Sequence, residues 1–387
     1  QPFQYKGCTL VANAEIYNYK DIKSQLSTFD FNSSSDCEVL LPLYEELGLE
    51  MFQYLDAEFA IVLYDSKQDY LIASRDPIGI RPLFYGYHKV DGNILFASEA
   101  KALIHTVDSV IPFPPGMIYC NGEFTQYHTL YSVKKYHDHM FHEITENIRE
   151  KLINGIVKRL SSDAPMGFLL SGGLDSSIVC SIAAMYLDKP IRTFSIGMET
   201  DPIDLKYAKQ VSEYLGTIHT EVRITKEDVL SSLDEVVYAL ESYDITTIRA
   251  SMGMYLLSKY IHEQTDIKVL LTGEVSDELF GYKYTDFAPT PEAFQEESIK
   301  RVRELYMYDV LRADRCLAAN SLEARVPFAD MDFMSYVLRI SPLFKMNKYN
   351  MGKFLLRKAF EGDYLPESIL YRDKAAFSDA VGHSLVD

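Results

Sequence analysis

The hydrophobic pattern of this chain changes period near residue 132, and that change limits the fold more than any other feature. Before it, short runs rich in β-branched and aromatic residues recur at 9–13, 59–65, 70–75, 82–87 and 94–98. Turn formers such as Asp91-Gly92 separate them, and strands in meander order imply an antiparallel sheet. One helix is expected over 36–47, opening on Asp36 as its cap. After residue 132 comes a long amphipathic helix, 143–160, with Ile144, Ile148, Leu152 and Ile156 on one face. Strand and helix then alternate: 167–170 with 175–187, 192–197 with 206–215, 220–224 with 227–240, and 268–272 with 277–280. Such alternation builds a parallel sheet with helices on both faces, whose ligands sit beyond the strands' carboxyl ends. Segment 283–296, with two prolines, reads as a loop. The expected domains are 1–135, an antiparallel layered unit, and 136–387, a parallel α/β unit.

With 387 residues, 47% of them hydrophobic, there is ample material for two such cores. A net charge of −18 disfavours phosphate backbones and anionic lipid, so neither nucleic acid nor membrane is an expected partner. No apolar run approaches the ~18 residues of a membrane span. The five cysteines are far apart with no CxxC, as in a reduced, cytoplasmic protein.

The chemistry concentrates in Ser171-Gly172-Gly173-Leu174-Asp175-Ser176-Ser177, directly after an apolar strand and directly before a helix. Two glycines admit close backbone approach of an anion, the serines add hydroxyls, and the helix N-terminus offers unpaired N–H groups. This is a phosphate cradle. It is not a Walker loop, because no Gly-Lys-Ser/Thr follows. A plain glycine-rich helix cap is the bland alternative, and Leu-Asp-Ser-Ser argues against it.

SGGLDSS resembles the pyrophosphate loop of the ATP-pyrophosphatases, which split ATP into AMP and pyrophosphate. Further segments narrow the resemblance to the glutamine-hydrolysing asparagine synthetases: YDITTIRAS from Tyr243, TGEVSDE from Thr272, EARVPF from Glu323 and FSD from Phe377. In the first half NAEIYN from Asn13, SDCE from Ser35, RDPIG from Arg75 and ASEAKAL from Ala97 resemble the same family's glutaminase segment. The resemblance covers nearly the whole chain, in order. It implies an N-terminal αββα amidotransferase-type domain followed by an ATP-pyrophosphatase domain. It implies L-aspartate, ATP and L-glutamine or ammonia as substrates, Mg²⁺ as cofactor, and a homodimer.

Residue by residue, the resemblance assigns Asp175 and Asp277 to Mg²⁺. Leu169, Ser171, Gly172, Gly173, Asp175, Ser176, Ile196, Thr272 and Gly273 would hold ATP. Glu274 would take part in adenylate formation and accept a proton from incoming ammonium, with Arg249 and Lys374 supplying fixed positive charge. Arg325 reads equally well as a structural salt bridge. In the first half Asn13 and the Ala14 N–H match an oxyanion hole, and Glu15 and Asp36 match contacts to the glutamine α-amino end.

Departures from the pattern matter. Glutaminases of this class use an N-terminal cysteine, whereas Gln1 opens this sequence, and Ala14 stands where the family has glycine. As written, the chain is expected to be an internal piece of a longer enzyme, unable to hydrolyse glutamine by the family mechanism. The alternative is a natural form that uses ammonia directly. A β-lactam synthetase-like cyclase tends to carry Tyr where Glu274 stands, and an inactive nucleotide-binding relative would erode the very carboxylates retained here.

Overall fold

In this computed structural model the described residues are 1–27, 29–199, 203–282, 285–347 and 350–373. They fall into two units, Gln1–Ser132 and Val133–Asp387.

The first unit is built on strands β1 (Phe3–Tyr5), β2 (Cys8–Ile16), β3 (Ala57–Asp65), β4 (Tyr70–Arg75), β5 (Phe84–Tyr87), β6 (Ile94–Ala97), β7 (Ile111–Pro112), β8 (Met117–Cys120) and β9 (Glu123–Gln126). A six-stranded sheet runs β1-β2-β3-β4-β8-β9, antiparallel throughout, and a three-stranded sheet runs β6-β5-β7. Period-2 alternation sends Leu10, Leu63 and Ile72, which lie opposite one another, into a core shared with Leu40, Leu43 and Phe52. Ala60 and Ala73 point to the other face, where Leu83, Phe113 and Tyr119 form a second core with partly buried residues of β5 and β6. The layered antiparallel architecture is therefore present.

Two local expectations need correcting. Segment 36–47 is a 3-10 turn, Asp36–Val39, followed by an α-helix, Leu40–Leu47. Asp36 caps neither; its carboxylate accepts the Ile16 N–H at 2.7 Å. Strand β2 runs on to Ile16, so Asn13 sits within the strand rather than at its end.

In the second unit five strands, β10 (Met166–Leu169), β11 (Arg192–Met198), β12 (Ile218–Ile224), β13 (Val269–Leu271) and β14 (Glu323–Arg325), form one sheet in the order β12-β11-β10-β13-β14. Every pairing is parallel. The chain moves outward from β10 to β12 and then restarts on the other side of β10 with β13. That reversal makes a switch point between β10 and β13, where adjacent connections diverge and leave a crevice. Helix Phe141–Lys158 buries Ile144, Ile148, Leu152 and Ile156, the four residues expected from their spacing.

Here too two readings change. The helix over 227–240 is broken into Lys226–Ser231, capped reciprocally by Thr225 and Asp228, and Leu233–Leu240. Segment 283–296, read as a loop, contains the start of helix Pro291–Glu304. Proline costs nothing in a first turn, where its missing N–H has no partner to lose, and Thr290 Oγ1 caps the helix by accepting from Ala293 N at 3.1 Å. No described helix is long and apolar enough to cross a membrane.

Candidate active site

Strand β10 ends at Leu169 and helix Leu174–Tyr186 begins five residues later, so Leu170–Gly173 must reverse the chain at the switch point. Gly172 has φ +72°, and a Cβ there would lie 2.5 Å from Ala208 N, so glycine is required twice over. The serines brace the turn: Ser171 Oγ lies 3.0 Å from Ser176 Oγ, and Ser171 N donates to Ser176 Oγ at 3.2 Å. Arg372 holds it from outside, donating to Gly172 O at 3.1 Å and Asp204 Oδ1 at 2.6 Å while stacking on Tyr207. Gly273, after β13, packs as closely on the other side: a Cβ there would be 2.8 Å from Ser176 N.

The loop and the turn after β13 bring carboxylates together. Asp175 and Asp277 face one cation, the Lys353 ammonium, which donates to Asp175 Oδ1 and Oδ2 at 2.7 and 2.8 Å and lies 2.5 Å from Asp277 Oδ1. Ser276 Oγ donates to Asp175 Oδ1 at 2.7 Å and accepts from Lys353 at 2.9 Å. Glu274 is paired separately, with Arg312 at 2.7 Å, and Arg312 also reaches Asp309 at 2.8 Å. Burial alone would lower the Arg312 guanidinium; Glu274 and Asp309 outweigh it and hold the group firmly charged. Glu278 lies behind them, with an Oε2 that has no hydrogen-bond partner among the described residues. Burial pushes its carboxyl well above the usual range, and the nearby Asp309 and Asp277 charges push the same way.

These groups line a cavity of about 350 Å³. Of the residues singled out in the sequence, Leu169, Ser171, Gly173, Asp175, Ser176, Ile196, Thr272, Gly273, Glu274 and Asp277 all border it, and Gly172 sits in the loop beside it. Thr272 Oγ1 is buried on the wall with no partner among the described residues, a polar atom left for a ligand. Arg249 is not brought in: it is exposed on helix Ile245–Gln264, whose Thr246 and Ala250 do border the cavity. Arg325 takes the structural reading, donating to Glu323, Arg159 O and Ser161 O while almost fully buried. Lys374 and the Phe377-Ser378-Asp379 segment lie outside the described residues.

Sequence reasoning missed Lys353, Arg357, Arg372, Arg301 and Arg312, which supply the cavity's positive charge. None belongs to a short motif. Only the charge bookkeeping of a phosphate site, which needs several cations, signals that such residues must exist.

The first-half residues form their own group, on the edge of β2. Residues of odd number face β3, as Tyr17 N does in donating to Asp56 O. Even-numbered ones face the other way, where Ala12 pairs with the Gln1 side chain, Ala14 O accepts from Cys37 Sγ, and Ile16 N meets Asp36. By this parity the Ala14 N–H points to the same edge. Asn13 is exposed and Glu15 half-buried beside it.

Comparison with known proteins places both units in one family. The family described as asparagine synthase matches residues 147–290 and 286–387, and the glutamine amidotransferase domain matches residues 1–149. A glutamine-hydrolysing asparagine synthetase of Zea mays is 41% identical over 100% of this chain and 69% of its own length. A second from Oryza sativa subsp. japonica, covered over 67% of its length, and a third from Arabidopsis thaliana, over 68%, are also 41% identical, each across 99% of this chain. Among solved structures, a glutamine-dependent NAD+ synthetase from Acinetobacter baumannii is 15% identical over 76% of this chain and 47% of that one, at a TM-score of 0.32, too low to bear on the argument. On the identity that spans both units, the chain belongs to the glutamine-hydrolysing asparagine synthetases.

Proposed function

We infer that this chain carries ATP-dependent synthesis of L-asparagine from L-aspartate, with nitrogen from ammonia or, in the full-length enzyme, from glutamine. The aspartate side-chain carboxylate attacks the α-phosphorus of ATP, pyrophosphate leaves, and ammonia then displaces AMP from the aspartyl-adenylate. The observation that supports this most is the meeting of the SGGLDSS loop with the turn after β13 at the switch point, which puts Asp175 and Asp277 against a single cation. The donor set fits Mg²⁺: hard carboxylate oxygens of both residues already converge on one positive centre. A bound Mg²⁺ there supplies neutralisation of phosphate charge.

The chain's own groups do the rest. Ser171, Gly172, Gly173 and Ser176 orient the phosphates through backbone N–H and hydroxyl donors. Leu169, Ile196, Thr272 and Gly273 hold the adenosine, with the free Thr272 hydroxyl available to it. Glu274 receives the proton that ammonium must lose, and its Arg312 partner holds it in place. Lys374, outside the described residues, we keep as a charge donor to the reacting groups; Arg249, exposed and away from the cavity lining, we do not. In the first unit the Ala14 N–H and Asn13 serve the oxyanion, and Glu15 and Asp36 the glutamine α-amino end. We assign residues 1–135 to the glutaminase and 136–387 to the synthetase, and place the enzyme, whose five cysteines form no disulfide among the described residues, in the cytoplasm.

The test is pyrophosphate release from ATP·Mg²⁺ and aspartate, with ammonium chloride or glutamine. Release with asparagine formation on ammonium supports the synthetase assignment, and release on glutamine extends it to the first unit. A folded sample that releases no pyrophosphate with either nitrogen source overturns it.

A further inference from the structure

Lys353 has no place in the chemistry above, yet its ammonium is the group most tightly held in the site. Its side chain is 3% exposed and takes three anchors, Asp175, Ser276 and Asp277, all within hydrogen-bond or ion-pair reach. Asp175 and Asp277 come from different strand ends and would repel each other without a cation between them. A divalent ion that used both would have to stand where the ammonium stands. Two positive centres cannot share that point. Lysine suits a replaceable occupant: a compact charge on a flexible four-carbon stem, where arginine would lock in as a planar fork. Lys353 sits at φ +58°, and Asn350 three residues earlier at φ +50°, so the turn carries left-handed backbone at two non-glycine residues.

We propose that Lys353 is a built-in counter-cation for the carboxylate pair, which keeps Asp175 and Asp277 together in the nucleotide-free enzyme and must withdraw before a divalent metal ion can take both. The inference rests on the assignment of that pair to the metal. Its consequence is that the free enzyme binds metal weakly, and that removing the ammonium opens the site.

The probe is Mn²⁺, titrated into the full chain without nucleotide and read as loss of the free-ion electron paramagnetic resonance signal. Lys353→Met is expected to bind Mn²⁺ at least about tenfold more tightly than wild type, and Asp175→Asn in the same background is expected to abolish the gain. Should Lys353→Met prove poorly folded, its melting temperature must rise on adding Mn²⁺ by more than that of wild type. Ser276→Ala, which removes one anchor, is expected to fall between the two in affinity. Equal or weaker Mn²⁺ binding by Lys353→Met, with no added thermal gain, overturns the proposal. The underlying assignment fails differently: Asp175→Asn would then leave Mn²⁺ binding unchanged in the presence of ATP.

Discussion

Asp76 in the first unit and Asp175 in the second are both buried acids inside segments that carry the family resemblance, and the structure treats them in opposite ways. Asp76 accepts from backbone N–H groups of Ile78, Gly79, Ile80 and Arg81, at 2.6–3.1 Å, and of Phe59 at 3.3 Å. Its neighbour Arg75 is spent likewise on carbonyls of Arg81, Phe113 and Gly79. Burial still pushes the Asp76 carboxyl upward, against Arg75 and those donors. Asp175 is held by an ammonium and a hydroxyl on side chains that can swing away. An acid wrapped by main chain cannot be released without unfolding its turn, so it shapes the fold; one held by side chains can exchange its partner. The positive-φ residues differ in the same sense. In the Asp76 turn the burden falls on Gly79 (φ +73°), which bears it freely, whereas beside Glu274 it falls on Val275 (φ +79°), a β-branched residue under strain.

The largest expected effect would split the two acids by activity. Asp175→Asn should cut ammonium-dependent pyrophosphate release at least about 100-fold while moving the melting temperature by only a few degrees. Retained turnover would erase the distinction. Asp76→Asn should do the reverse, costing about 3 kcal/mol in denaturant unfolding of the first unit, with ammonium-dependent release by the folded fraction within a few-fold of wild type.

Lys345 sharpens the contrast among cations. It is as buried as Lys353 but faces neutral acceptors, Gln295 Oε1 and Val337 O, and burial lowers it from 10.5 to about 7. Between those two values the unfolded chain binds more protons than the folded one, so stability rises with pH across that window. Lys345→Met should therefore gain most over wild type below pH 7, with the advantage fading toward pH 10.5 at up to ~1.4 kcal/mol per pH unit. Chemical denaturation at pH 6.5 and pH 9.5 would show it; a pH-independent difference would count against the burial argument. The smallest effect is at Val275. There relief of the left-handed strain opposes loss of a buried side chain, so Val275→Gly should cost less than about 2 kcal/mol in a thermal melt, and a larger loss would mean that the turn is not strained.

Much of the site was legible because its signals are local. SGGLDSS declares itself through residues that touch one another within a single turn, and the strand-helix alternation around it places the turn at a strand's carboxyl end. Asp277 could be matched because TGEVSDE spans a second such turn. Local reading failed where a residue's partner lies elsewhere. Asp36 looked like a helix cap because its sequence neighbours form a helix, but its carboxylate is committed to Ile16, 20 residues away. Pro291 looked like a breaker because its position within the first turn of a helix depends on where that helix starts.

Composition, period and motif spacing by themselves determined the two-unit order, the antiparallel and parallel sheet classes and the anion-binding loop, since each follows from backbone preferences or contacts within a few residues. Only the tertiary structure decided which cations neutralise which acids. Lys353, in a turn, lies 178 residues from Asp175, and Arg312, in a helix, lies 38 from Glu274, neither within a motif of its own. Charge pairing depends on distance through space, and no local pattern encodes which of 38 basic residues will arrive at a given carboxylate.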